Sequence, residues 1–123
     1  MSDKVFFGRE DLLKIVDLQT EDVWVPEWNS WVRVRGLNGA ERDQFESSVV
    51  EMHGKKVVVK SENMRAKLVA LCVVDESGGR LFSDRDVEAL GQKSASALQR
   101  VFEVAQRLSG LTEADVEELE KNS

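Results

Sequence analysis

Apolar positions recur along this chain with two periods. Over residues 9–16, Leu12, Leu13, Ile15 and Val16 stand among charges, a pattern that predicts a short helix. Residues 22–35 read differently: Val23, Trp24 and Val25 run into Pro26, and Trp31-Val32-Arg33-Val34-Arg35 follow the turn-rich Glu27-Trp28-Asn29-Ser30. β-Branched and aromatic residues on both sides of a turn predict an antiparallel hairpin. Strand side chains alternate, so Val32 and Val34 share one face while Trp31, Arg33 and Arg35 share the other. Pro26 has no N–H to give to a ladder and belongs at a strand end or an edge.

Beyond Gly36 the period becomes helical. Asn38 and Glu41 have capping-box spacing. Phe45, Val49 and Met52 then fall on one helical face, with His53-Gly54 as its stop. Val57-Val58-Val59 reads equally as a third strand or as a bridge into the next helix. Ser61 is placed to cap a helix carrying Met64, Leu68, Leu71 and Cys72. Residues 75–80 form a turn. Ser83 with Asp84 and Asp86 then opens a short helix, Val87 and Leu90 pointing inward, which Gly91 breaks. Ser94 starts the strongest helix, where Leu98, Val101, Phe102, Ala105 and Leu108 keep to one stripe. Gly110 followed by Leu111 matches a helix-ending glycine with its apolar follower. Thr112 restarts an acidic helix or frayed tail over 112–123. The expectation is a single α+β domain over residues 1–123. It is mainly helical, with about five helices and a small antiparallel hairpin or sheet near residues 22–35, and 57–59 as a candidate further strand.

Length and charge narrow the function. A chain of 123 residues suits one domain that buries roughly 60–70% of its unfolded surface. Its formal charge of −6 opposes the counterion-releasing contacts that nucleic acid demands. That charge is not spread evenly. Residues 112–123 hold five acids and one Lys, whereas residues 61–111 carry seven of each sign. What excludes nucleic acid from a nearly neutral body is therefore the absence of a basic cluster on any predicted helix. No run approaches the ~20 apolar residues of a membrane span, and the N-terminus lacks a basic region followed by an apolar one. A soluble, non-secreted chain is expected, with no membrane partner.

Catalytic chemistry is hard to build from these residues. The lone His53, at a predicted helix end, reads as a dipole-complementing cap or a surface residue. The single Cys72 excludes an intramolecular disulfide and a cysteine zinc cluster, and its apolar helix face suits a core thiol. Counted as a calcium loop from Asp75, the sixth position is Arg80 instead of glycine and the twelfth is Asp86 instead of glutamate. Gly78-Gly79 lacks the Gly-Lys-Ser/Thr of a phosphate loop. No enzyme, cofactor or metal is expected. The remaining oddity is Trp24, Trp28 and Trp31 in one hairpin. They staple a sheet to helices, or Trp28 in the turn serves as an exposed binding anchor. Phe6 and Phe7 raise the same question with less force. Candidate partner-binding residues are Trp28 and Trp31, with Phe45, Val49 and Phe102 as groove walls. The helical stripes holding those last three suit a core better, since 123 residues leave few stripes to spare.

The order of segments resembles a family. Val-Pro-Glu-Trp at 25–28 precedes Trp-Val-Arg-Val-Arg-Gly-Leu-Asn-Gly-Ala-Glu-Arg-Asp at 31–43. Then come Ala-Lys-Leu-Val-Ala-Leu-Cys-Val-Val-Asp-Glu-Ser-Gly-Gly-Arg-Leu-Phe-Ser-Asp at 66–84, a third block at 87–102, and Arg-Leu-Ser-Gly-Leu-Thr at 107–112. Over about residues 8–122 this resembles the tail assembly chaperones of long-tailed bacteriophages and prophages. The resemblance implies a small protein of the host cytoplasm, needed to build the tail and absent from the finished virion. It would bind the tape measure protein, keep its hydrophobic helices from aggregating, and help recruit tail tube subunits. In such families a −1 frameshift often adds a domain that contacts the tube protein. Glu120-Lys121-Asn122 permits the slippery run GAA-AAA-AAC where such a site would lie. No catalytic or cofactor residues carry over. Self-association is a further candidate contact. The alternative is a structural ring subunit, a head–tail connector or tail terminator. A transcriptional regulator would need a basic recognition helix that is absent.

Overall fold

The computed structural model describes the backbone of residues 3–59 and 63–121. Its elements run α1 (Arg9–Lys14), β1 (Thr20–Val25), β2 (Ser30–Arg35), α2 (Gly39–Ser48), β3 (Val50–His53), β4 (Lys56–Val59), α3 (Met64–Cys72), β5 (Val73–Val74), α4 (Val87–Gly91), α5 (Ala95–Leu108) and α6 (Glu113–Lys121). This is the expected mainly helical α+β architecture. The expected Ser61 cap lies outside the described residues.

The hairpin forms as its pattern demands. β1 and β2 pair antiparallel from Thr20↔Arg35 to Val25↔Ser30. Pro26 opens a 3₁₀ turn over Pro26–Trp28, where its missing N–H costs nothing, and Asn29 closes the turn at φ 49°. The third strand of this sheet is not the candidate at 57–59: β5 pairs antiparallel with β2 at Arg33↔Val74 and Val34↔Val73, giving the order β1-β2-β5.

Residues 49–59 correct the sequence reading. α2 stops at Ser48, Val49 is its C-cap, and Met52 and His53 belong to β3. His53 therefore caps no helix. β3 pairs with β4 as a separate two-stranded sheet, so residues 57–59 are a strand, though not one of the main sheet. His53↔Lys56 brackets a two-residue loop whose first position is Gly54 at φ 64°, where a tight hairpin favours glycine.

α3 is the central helix, and it packs against α5, α4 and α2. Met64, Ala66 and every residue from Leu68 to Cys72 are buried, as befits a helix covered nearly all round. α5 buries Ala97, Leu98, Val101, Phe102 and Ala105 between α3 and the hairpin. Its end is a Schellman motif: Leu111 N donates to Gln106 O at 3.0 Å, Gly110 N donates to Arg107 O at 3.2 Å, and Gly110 takes φ 72°. Thr112 and Asp115 then exchange side-chain and backbone hydrogen bonds at 3.0 and 2.9 Å, capping α6, whose Val116 and Leu119 rest on the core.

Candidate partner-binding surface

The two faces of the β1–β2 hairpin have different duties. Glu21, Val23 and Val25 point toward α5 along with Val32 and Val34, and Val25 and Val34 are fully buried. Polar contacts fix this face at both ends. Arg107 donates to Glu21 at 2.7 Å, Arg100 donates to Glu27 at 2.9 Å, and Ser96 Oγ donates to Glu27 at 2.8 Å. The Ser96 hydrogen bond is the largest influence holding the Glu27 carboxyl below its ordinary range.

The opposite face looks out to solvent. Trp24 and Trp31, paired across the strands, meet edge to face with centroids 5.5 Å apart at 62°. They remain 43% and 66% exposed. Beside them Arg33 grips Asp22 through two hydrogen bonds of 2.8 and 3.1 Å, which hold the Asp22 carboxyl below its usual value. Arg35, next along β2, is turned to Glu41 by a bidentate pair of 2.8 and 3.1 Å, which locks the hairpin to the first turn of α2.

The candidate residues taken from sequence scatter between surface and core. Trp31 lies on the open face. Trp28 instead packs, partly buried, against the core, because the 3₁₀ turn carries its ring inward. Phe45 and Val49 are buried core residues and offer no groove wall. Phe102 is buried too, but it borders a groove of about 770 Å³ between α5 and the start of α6, with the Arg65 guanidinium 5.4 Å from its ring centroid. A second cleft, about 520 Å³, opens between α2, α3 and α4 and is lined by Gln44, Lys67, Leu71, Arg85 and Glu88. Trp24, which the sequence ranks below Trp28 as an anchor, is exposed by the same alternation that places Trp31.

Burial pushes the Cys72 thiol up to about 12, so it is protonated at neutral pH. Among the described residues no group of His, Cys, Asp and Glu is placed to hold a metal ion, and no helix is long and apolar enough to cross a membrane.

Comparison with known proteins adds two matches. A family model described as phage tail assembly chaperone matches residues 14–122. The solved tail assembly chaperone of bacteriophage HK97 aligns with a TM-score of 0.56 at 19% identity, covering 80% of this chain and 95% of that one. At such low identity the structural likeness speaks for the fold. No curated protein matches the chain at a significant level.

Proposed function

This chain belongs to the phage tail assembly chaperone family, and from that premise we propose that it binds the tape measure protein during tail assembly and helps recruit tail tube subunits. It does this by protein–protein contact, without catalysis, in the cytoplasm of the bacterial host, and it is absent from the finished virion. The observation that carries the reading is a family match running from residue 14 to 122, nearly the whole chain. The open hairpin face supports it. An aromatic ring that is half uncovered and flanked by an ion pair is the kind of amphipathic anchor that dominates interfaces. Trp31 is the residue assigned to that contact, where an apolar helix of the partner would lie across it. A longer product made by −1 slippage would continue from α6, and an AAG codon at Lys121 would remove the slippery run.

Co-expression with the tape measure protein tests the reading. The expected result is a soluble complex that the Trp31→Ala chain holds about tenfold or more weakly, while the fold loses no more than the roughly 1 kcal/mol of the Trp24–Trp31 ring contact. A tape measure protein that is equally insoluble with and without this chain, with no complex recovered, overturns it. Recovery of the chain as a stoichiometric part of purified particles would favour a ring subunit instead.

A further inference from the structure

The cleft between α2, α3 and α4 carries a chemistry that the fold itself leaves unused. Lys67 and Leu71 lie one turn apart on α3, with Asn63, the N-cap of that helix, a further turn back. Gln44 and Ser48 of α2 line one side, and Arg85, Val87 and Glu88 line the other. Leu71 is buried and Val87 half-buried, so part of the lining is apolar. The volume of about 520 Å³ lies within the range of ordinary ligand pockets, roughly 300–1,000 Å³.

The charges decide what fits. Every other arginine beyond residue 20 is engaged by a carboxylate or, for Arg65, by the Gln99 amide. The Arg85 side chain has no hydrogen-bond or ion-pair partner among the described residues. Its guanidinium keeps a whole planar fork of donors, the shape that grips a carboxylate through two hydrogen bonds. Lys67 adds a second cation: Nζ donates to the Ser48 carbonyl oxygen at 2.8 Å, which holds the ammonium at the end of α2 and leaves its remaining N–H groups to a ligand. Asp84 is already held by Arg80 at 3.3 Å. Glu88 has no cation beside it among the described residues, so it opposes a second negative charge on any occupant. Gln44 and Asn63 bring side-chain amides, each donor and acceptor at once, as a peptide group requires. Asn63 is fixed at φ 59° with its side chain against Gly91, where a Cβ would lie 2.5 Å from Oδ1.

We propose that this cleft binds the C-terminal residue of a partner polypeptide. Arg85 and Lys67 take the terminal carboxylate, Leu71 and Val87 take an apolar last side chain, and Gln44 and Asn63 take the preceding peptide group. Glu88 turns away segments whose penultimate residue is acidic. The site shares no residue with the open hairpin face, so it stands or falls apart from the contact assigned to Trp31.

Titration of the isotope-labelled full chain with the peptide acetyl-Gly-Ala-Leu, followed through amide NMR shifts, tests the site. Saturable shifts are expected over residues 44–48, 63–71 and 84–88, and Trp31→Ala should take the peptide as the parent does. Amidating the peptide carboxyl, or Arg85→Gln in the protein, should weaken binding about tenfold or more. Arg85 is exposed and its side chain bonds to nothing described, so Arg85→Gln should keep the parent's unfolding midpoint. Acetyl-Gly-Glu-Leu should bind several-fold more weakly than acetyl-Gly-Ala-Leu, on the order of one exposed charge pair, and Glu88→Gln should close that gap. Four results would overturn the proposal: no saturable shift, an amidated peptide held as tightly as the free acid, unchanged binding by Arg85→Gln, or hexanoate held as tightly as the peptide. The last would make the cleft a pocket for any apolar carboxylate.

Discussion

Gly36 sits where β2 hands over to α2, and a Cβ there would lie 2.4 Å from the carbonyl oxygen of Leu108 and 2.9 Å from its carbonyl carbon. Both atoms are backbone of the last turn of α5, so they cannot rotate aside. Gly36→Ala should therefore push α5 off the hairpin and cost on the order of 2–3 kcal/mol, read as a lower urea midpoint at unchanged slope. Gly39→Ala is the control. Nothing lies within 4 Å of a Cβ there, and the residue is already the first of α2, so the change should be neutral or stabilise by up to about 1 kcal/mol. If both variants behaved alike, the close approach to Leu108 would not be what demands glycine at position 36. The three tryptophans show the same dependence on immediate surroundings. Alternation along β2 made the outward direction of Trp31 readable from sequence. The direction of Trp28 was not readable, because a 3₁₀ turn and a left-handed Asn29 interrupt the strand period.

Caps and turns decide the elements. Asn38 Oδ1 accepts from Glu41 N at 2.8 Å while Asn38 N donates to the Glu41 carboxylate at 3.0 Å, and that carboxylate also receives Arg35. Asn38→Ala removes one side of the box and should cost about 1 kcal/mol, with the loss visible as faster amide exchange in the first turn of α2. An unchanged exchange rate would mean that the Arg35–Glu41 pair alone secures this end. These caps were legible in the sequence, as were the hairpin and the α5 stripe, because each depends on residues near one another in the chain. The end of α2 was not. Phe45, Val49 and Met52 have helical spacing, yet Val49 is buried as a cap, and the β-branched runs around Gly54 pull residues 50–59 into a hairpin. β5 left no local signal either, since Val73-Val74 continues the apolar run of α3 and becomes a strand only through β2. The candidate surface was half legible for the same reason: strand alternation places Trp31, while only tertiary packing shows that Phe45 and Val49 are inside.

At the scale of the molecule, ionisation brackets the range over which the fold is stable. Asp22, Glu27, Asp75 and Asp115 are all held below their ordinary values, through Arg33, the Ser96 hydroxyl, the Ser77 hydroxyl and the Thr112 backbone respectively. The folded state thus favours their ionised forms. Their contribution is present above the ordinary carboxylate range and is lost as pH falls below about 4. Cys72 acts at the other end. Its folded thiol is raised from 9.0 to about 12, so above pH 9 the unfolded chain ionises first and stability declines until about 12. Denaturant midpoints against pH should show a plateau between these limits, and Cys72→Ala should flatten the alkaline limb while lowering the plateau. An alkaline limb of the same depth in that variant would assign the loss to another group. The division of the hairpin also has a bearing on how such a protein can change over generations. Residues that hold the fold (Val25, Val34, Glu21 and Glu27) point one way, and Trp24 and Trp31 point the other. A lineage can therefore rewrite positions 24 and 31 to follow an altered partner without eroding the scaffold that displays them.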